Sequence, residues 1–127
     1  NKLKSGDRFL NLHNGEIGIV HETRENSFIF KSEIEDGWLT NLPGKDLKNC
    51  VRIPYHNDTI IVNGRRVVAI VIVIGNPTRV WFTSDIGGYI SAAATGVVDL
   101  NEVRFIDETE EFFQRRQADN TNCNSIW

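Results

Sequence analysis

The sequence predicts an all-β protein: two small five-stranded barrels in tandem, related by an internal repeat, with a short C-terminal helix. Three observations carry that expectation. DLKNCVRI (46–53) and DLNEVRFI (99–106) resemble each other about fifty residues apart. Asn14-Gly15 and Asn63-Gly64 each separate two apolar runs, as hairpin turns do. Apolar residues come in short β-branched and aromatic runs until residue 107, where the pattern changes.

The elements of the repeat follow in one order. GDRFLNLHNGEIGIV (6–20) answers NDTIIVNGRRVVAIV (57–71): an Asp, a short apolar strand, Asn-Gly, then a second strand. A type I′ turn needs positive φ at both central residues, so both Asn-Gly pairs are expected to form one. FIFKSEIEDGWLT (28–40) answers VWFTSDIGGYIS (80–91), with Gly37 and Gly87-Gly88 as the turns of the second hairpins. Asp46-Leu47 and Asp99-Leu100 then introduce a last strand after an irregular link. VVAIVIVI (67–74), closed by Gly75-Asn76-Pro77, is expected to be a strand buried on both faces.

The last strands align in two ways that differ by one residue. Ungapped, Cys50 matches Val103 and Arg52 matches Phe105; with one gap, Arg52 matches Arg104. A slip of one residue turns every side chain to the other face. The gapped alignment is preferred, because it sends both arginines to solvent. The resulting organisation is a first barrel over 1–56, with Pro54-Tyr55-His56 as the junction, and a second barrel over 57–106. A helix over 107–117 follows, with acidic residues in its first turn and Arg115 and Arg116 near its end, as the helix dipole favours. Its cap is Thr109 or Asp107, and Phe112 and Phe113 dock it on a barrel. Residues 118–127 have no periodicity and are expected to be a mobile tail.

Five short bent strands with glycine turns and a late irregular link resemble a small SH3-like barrel. The run 6–20 resembles the opening hairpin of KOW and Tudor-type domains, where Gly-Asp precedes the first strand and G-x-x-G-x-V opens the second. Asn14-Gly15-Glu16-Ile17-Gly18-Ile19-Val20 is also similar to the turn of the SH3-like insert of some superfamily 1 helicases. The likeness covers about fifteen residues of the first half, and Arg65-Arg66-Val67-Val68 replaces it in the second. It implies a fold more than a function, since small barrels serve many unrelated ones.

Composition narrows the function classes. The chain of 127 residues is 40% hydrophobic and 24% charged, an ordinary globular mix. Residues 1–56 carry eight basic and eight acidic side chains, 57–106 four of each, and 107–127 two against five. The net charge of −3 therefore resides in the C-terminal segment, and a strongly basic nucleic-acid binder is not indicated, although a local basic stripe is compatible. No apolar run approaches the ~20 residues of a membrane helix, and no membrane partner is expected. Cys50 and Cys123 are read as reduced thiols in an intracellular protein, cytoplasmic or associated with nucleoid or nucleus. The first residue is Asn and methionine is absent, which is read as a removed or replaced start.

Chemical motifs are sparse. His21-Glu22-Thr23-Arg24-Glu25 misses the last ligand of H-E-x-x-H and ends a strand, so the helical i,i+4 geometry of that zinc motif is lacking. His13 and His56 have no ligand-spaced partner in sequence. No G-x-S-x-G elbow and no phosphate-binding G-x-x-x-x-G-K-[ST] loop is present. No cofactor, no metal site and no small-molecule substrate is expected, and the reading is non-enzymatic. Tudor-type methyl-lysine cages need converging aromatics, and neither first hairpin turn carries one.

What remains is binding. Arg65 and Arg66 follow the second Asn-Gly turn, Arg52 and Arg104 mark the last strands, and Trp38 and Tyr89 stand beside the second hairpin turns. Arginines neutralise phosphates and aromatics stack on bases, so these six residues are the expected contacts of a module acting in nucleic-acid transactions. Its partner is nucleic acid or a protein that handles it. The alternative is a protein-interaction module, such as a viral or mobile-element accessory factor, that docks through its acidic C-terminal helix or an unpaired barrel edge.

Overall fold

A left-handed residue followed by Asp opens each half of the chain, at Gly6-Asp7 and Asn57-Asp58. The computed structural model describes residues 3–34, 39–84 and 94–123, with side chains as far as residue 118. The chain divides into two compact units between Ile53 and Pro54, three residues before the boundary expected from sequence.

The first unit holds β1 (Arg8–Asn11), β2 (Ile17–Thr23), β3 (Ser27–Ser32), β4 (Thr40–Pro43) and β5 (Cys50–Ile53). They form one antiparallel sheet in the order β4-β3-β2-β1-β5. The second unit holds β6 (Thr59–Val62), β7 (Arg65–Val73), β8 (Arg79–Thr83), β9 (Gly96–Asp99) and β10 (Arg104–Phe105). Its antiparallel order is β10-β6-β7-β8-β9, which is the first order strand for strand. A 3₁₀ turn precedes the last strand of each sheet, over Gly44–Asn49 and Leu100–Glu102. The second strand of each sheet is bulged at the same place, between Val20 and Glu22 and between Ala69 and Val71.

The two first hairpins differ. Asn63 and Gly64 have φ 52° and 77°, and Val62 pairs with Arg65 around them, as a two-residue turn with both φ positive requires. At the other hairpin only Gly15 is left-handed, and its N–H donates to the Asn11 carbonyl four residues back. The Asn14 side chain accepts from Glu16 N–H instead of entering the left-handed region. The expected type I′ turn at Asn14-Gly15 is thus a four-residue loop over 12–15. The turns expected at Gly37 and Gly87-Gly88 lie outside the described residues.

Two other expectations are corrected by pairing. Arg52 lies opposite Phe9, whereas Phe105 lies opposite Ile60, the residue equivalent to Phe9. The ungapped alignment is therefore the structural one, and Arg52 and Arg104 are not equivalent. Burial of 67–74 on both faces also fails: Val71, Val73 and Ile74 are about half exposed. The bulge separates Val67 and Ala69, which point inward, from Val71 and Val73, which point outward.

The core of the first unit is a cluster of Phe9, Val20, Phe28, Phe30 and Leu42. Its three phenyl rings meet edge to face at 5.0–6.0 Å. Burying each contributes about 1.5–3 kcal/mol. In the second unit Ile60, Val67, Ala69, Val80, Val98 and Phe105 are buried.

The helix α1 (Glu110–Cys123) starts three residues later than expected and runs six further, so the expected mobile tail is helical as far as Cys123. Residues 124–127 lie outside the described residues. Thr109 is the cap: its hydroxyl accepts from the Phe112 N–H at 3.1 Å. Arg115 and Arg116 fall in mid-helix, away from the dipole end they were expected to serve. Arg116 is buried instead, bonded through Nε and Nη2 to the Glu108 carboxylate at 2.9 and 3.0 Å. Its Nη2 also donates to the Val103 carbonyl at 2.7 Å, and Phe105 and Phe113 lie within cation–π range. Among the described residues no helix is long and apolar enough to cross a membrane.

Candidate functional site

Residues directly opposite across antiparallel strands share a face of the sheet. Ile61 lies opposite Arg66 on one side and Arg104 on the other, so these three form one row across β7, β6 and β10. Their neighbours along the strands, Ile60, Val67 and Phe105, are buried, which places the row on the outer face. Two pairings of ~5 Å each set the two arginine Cα atoms about 10 Å apart. Arg66 is exposed, and its side chain has no hydrogen bond or ion pair among the described residues. Arg104 is half-buried, and its Nε donates to the Glu108 carbonyl at 3.0 Å.

The other predicted residues are not part of this row. Arg65 pairs with buried Val62 and so stands on the opposite face, exposed at the rim beside the turn. Arg52 belongs to the first unit and lies on the core side with Phe9. Its Nε is 3.4 Å from the carboxylate of buried Asp7, which also accepts from Lys4 N and Nζ. That ion pair gives Arg52 a structural task. Trp38 and Tyr89 lie outside the described residues.

A tryptophan that the sequence reading passed over occupies the same outer face. Trp81 lies opposite Val71 on one side and Val97 on the other, and the three are 41%, 50% and 44% exposed. The next row is Val73, Arg79 and Asp99, with Arg79 Nε 3.5 Å from the Asp99 carboxylate. Part of its signal was present: the two-residue period of VWFT sets Trp81 on the face opposite Val80 and Phe82, and the burial of Val80 shows that face to be the outer one.

Acid–base and metal chemistry have little support in these residues. His21 to Glu25 are all exposed, and no group of three His, Cys, Asp or Glu among the described residues is placed to hold a metal ion. Burial, then the Asp46 and Glu16 carboxylates, push the Cys50 thiol up to about 12. A thiol held protonated to that degree is a poor nucleophile at neutral pH. What the arrangement offers is a surface: two arginines about an isoleucine, and a tryptophan between two valines. Compared with known proteins, the chain matches no family model and no curated protein sequence.

Proposed function

We propose that the chain is a non-enzymatic binding module of two SH3-like barrels that acts in nucleic-acid transactions inside the cell. The repeated strand order, the bulged second strand and the late 3₁₀ link of each unit support the barrel reading. The observation that carries the function is the Arg66–Ile61–Arg104 row. Paired arginines, one with its guanidinium exposed, suit phosphate oxygens, which accept charge-assisted hydrogen bonds. The ligand is nucleic acid, or a protein that presents it.

Fluorescence-anisotropy titration against short DNA and RNA, at low and moderate salt, tests this reading. Affinity falls as salt rises, because each phosphate contact releases counterions. Arg66→Glu and Arg104→Glu each weaken binding and flatten the salt dependence, whereas charge reversal at exposed Lys45 in the first unit leaves both unchanged. Binding that survives high salt, or that ignores the double reversal, rules the reading out.

A further inference from the structure

We propose that the outer face of β7, β8 and β9 holds an unpaired nucleobase against Trp81, which makes single-stranded nucleic acid the ligand of the module. This inference rests on the nucleic-acid reading above and narrows it. Scattered exposed apolar side chains are ordinary, whereas here three lie side by side across three strands with an indole at their centre, a face on which a planar base can stack. Val71 and Val97 flank that indole.

Charge favours a polyanion as occupant. Arg66, Arg104 and Arg79 are three of the four arginines of the segment 57–106, and all lie in the outward rows. Asp99 is the one acidic residue in those rows. The Arg79–Asp99 pair is about half exposed on both sides, and such pairs contribute little, so Arg79 is available to a phosphate. Arg79 and Trp81 are two residues apart on one face, or about 7 Å. Along β7 the step from Arg66 to Val71 is roughly 16 Å, which sets base and phosphate contacts along one strand. Duplex bases expose only their edges, so stacking on an indole selects unpaired ones, with little regard to sequence.

The test uses the full chain with fluorescein-labelled oligothymidylate, oligouridylate and a duplex of the same length. Trp81→Ala weakens single-strand binding by roughly 5- to 150-fold, the range for loss of one stacked base. Trp81→Phe retains most of the affinity, and the duplex binds more weakly than either single strand. Oligonucleotide quenches the tryptophan emission of the parent and much less that of Trp81→Phe. Equal binding of duplex and single strand overturns the inference. So does a Trp81→Ala protein that binds as the parent while Arg66→Glu and Arg104→Glu remain weakened. That last pattern leaves the module reading standing and removes base stacking at Trp81 from it. Absence of binding by every oligonucleotide at low salt ends this inference and the direct nucleic-acid contact on which it rests.

Discussion

Gly6 and Asn57 occupy one position in the two units: both are left-handed, at φ 91° and 69°, and both N–H groups donate at 2.8 Å across to the second strand, to Val20 and Ala69. The Asp that follows closes the turn in each unit, accepting from Lys4 N at 3.0 Å or Tyr55 N at 2.8 Å. Space around Gly6 is open, so its requirement is backbone conformation alone. A side chain in that region costs about 1–2 kcal/mol, and Asn bears it better than most. Gly6→Ala and Asn57→Ala are each expected to destabilise by about 1 kcal/mol, and Asn57→Gly by less than ~0.5 kcal/mol. Urea denaturation at equilibrium measures all three.

Gly18 and Val67 are likewise equivalent, opposite Phe9 and Ile60. A Cβ on Gly18 would lie 2.8 Å from the Lys31 carbonyl oxygen, 2.9 Å from the Phe30 ring and 3.0 Å from that of Phe9. The Lys31 backbone and the aromatic core of the first unit together require the glycine, whereas the second unit, with its aliphatic core, admits valine. Gly18→Val is expected to cost about 3 kcal/mol by overpacking. Adding Phe9→Ile, whose own cavity costs about 2 kcal/mol, should recover part of the loss. A double-mutant cycle by denaturation shows the coupling, and simple additivity would refute the compensation.

Glu108 and Arg116 form an ion pair whose side chains are only 8% and 10% exposed. Glu108 also accepts from the Phe105 N–H at 2.9 Å, so the pair ties β10 to α1. Removing one partner strands a buried charge, and Arg116→Met is expected to destabilise by about 3–5 kcal/mol. The double variant with Glu108→Gln should be less destabilised than the single one. Thermal melts of the set provide the comparison.

Cys50 predicts an alkaline limit. Its folded pKa of about 12 lies above the ordinary 9.0, so the folded state holds the proton more tightly than the unfolded one. The stabilisation is complete below pH 9 and is lost as pH rises toward 12. Against a Cys50→Val reference, the parent should therefore lose relative stability across that window and show no difference in trend below it. In a Cys123→Ser background, native Cys50 should also resist alkylation at pH 8 and react once denaturant is added.

Much of this architecture is legible in short stretches. Asn63-Gly64 names its own turn, because two adjacent residues that tolerate positive φ are needed there and few others do. The match of FIFKS with VWFTS holds in space: Phe30 and Phe82 stand opposite Val20 and Ala69, each the last paired residue before the equivalent bulge of its own sheet. Asn14-Gly15 misled, because the loop it closes is two residues longer and the Asn11 and Asn14 side chains supply local partners.

The candidate site was less legible than the fold. Arg66 and Arg104 are found together, but Arg52 was placed with them on a one-residue misalignment that its pairing with Phe9 corrects. Trp81 was passed over as a member of an apolar run, although the two-residue period already sets it on the face opposite Val80 and Phe82.

Local chemistry thus decides turns, caps and the alternation of each strand, since those depend on neighbours within a few residues. Register, the bulge after Ala69 and the burial of Arg116 depend on groups that meet only in the folded chain. A shift of one residue costs little along the chain yet reverses a face, which is why β5 and β10 needed their partners β1 and β6 to tell an inward arginine from an outward one.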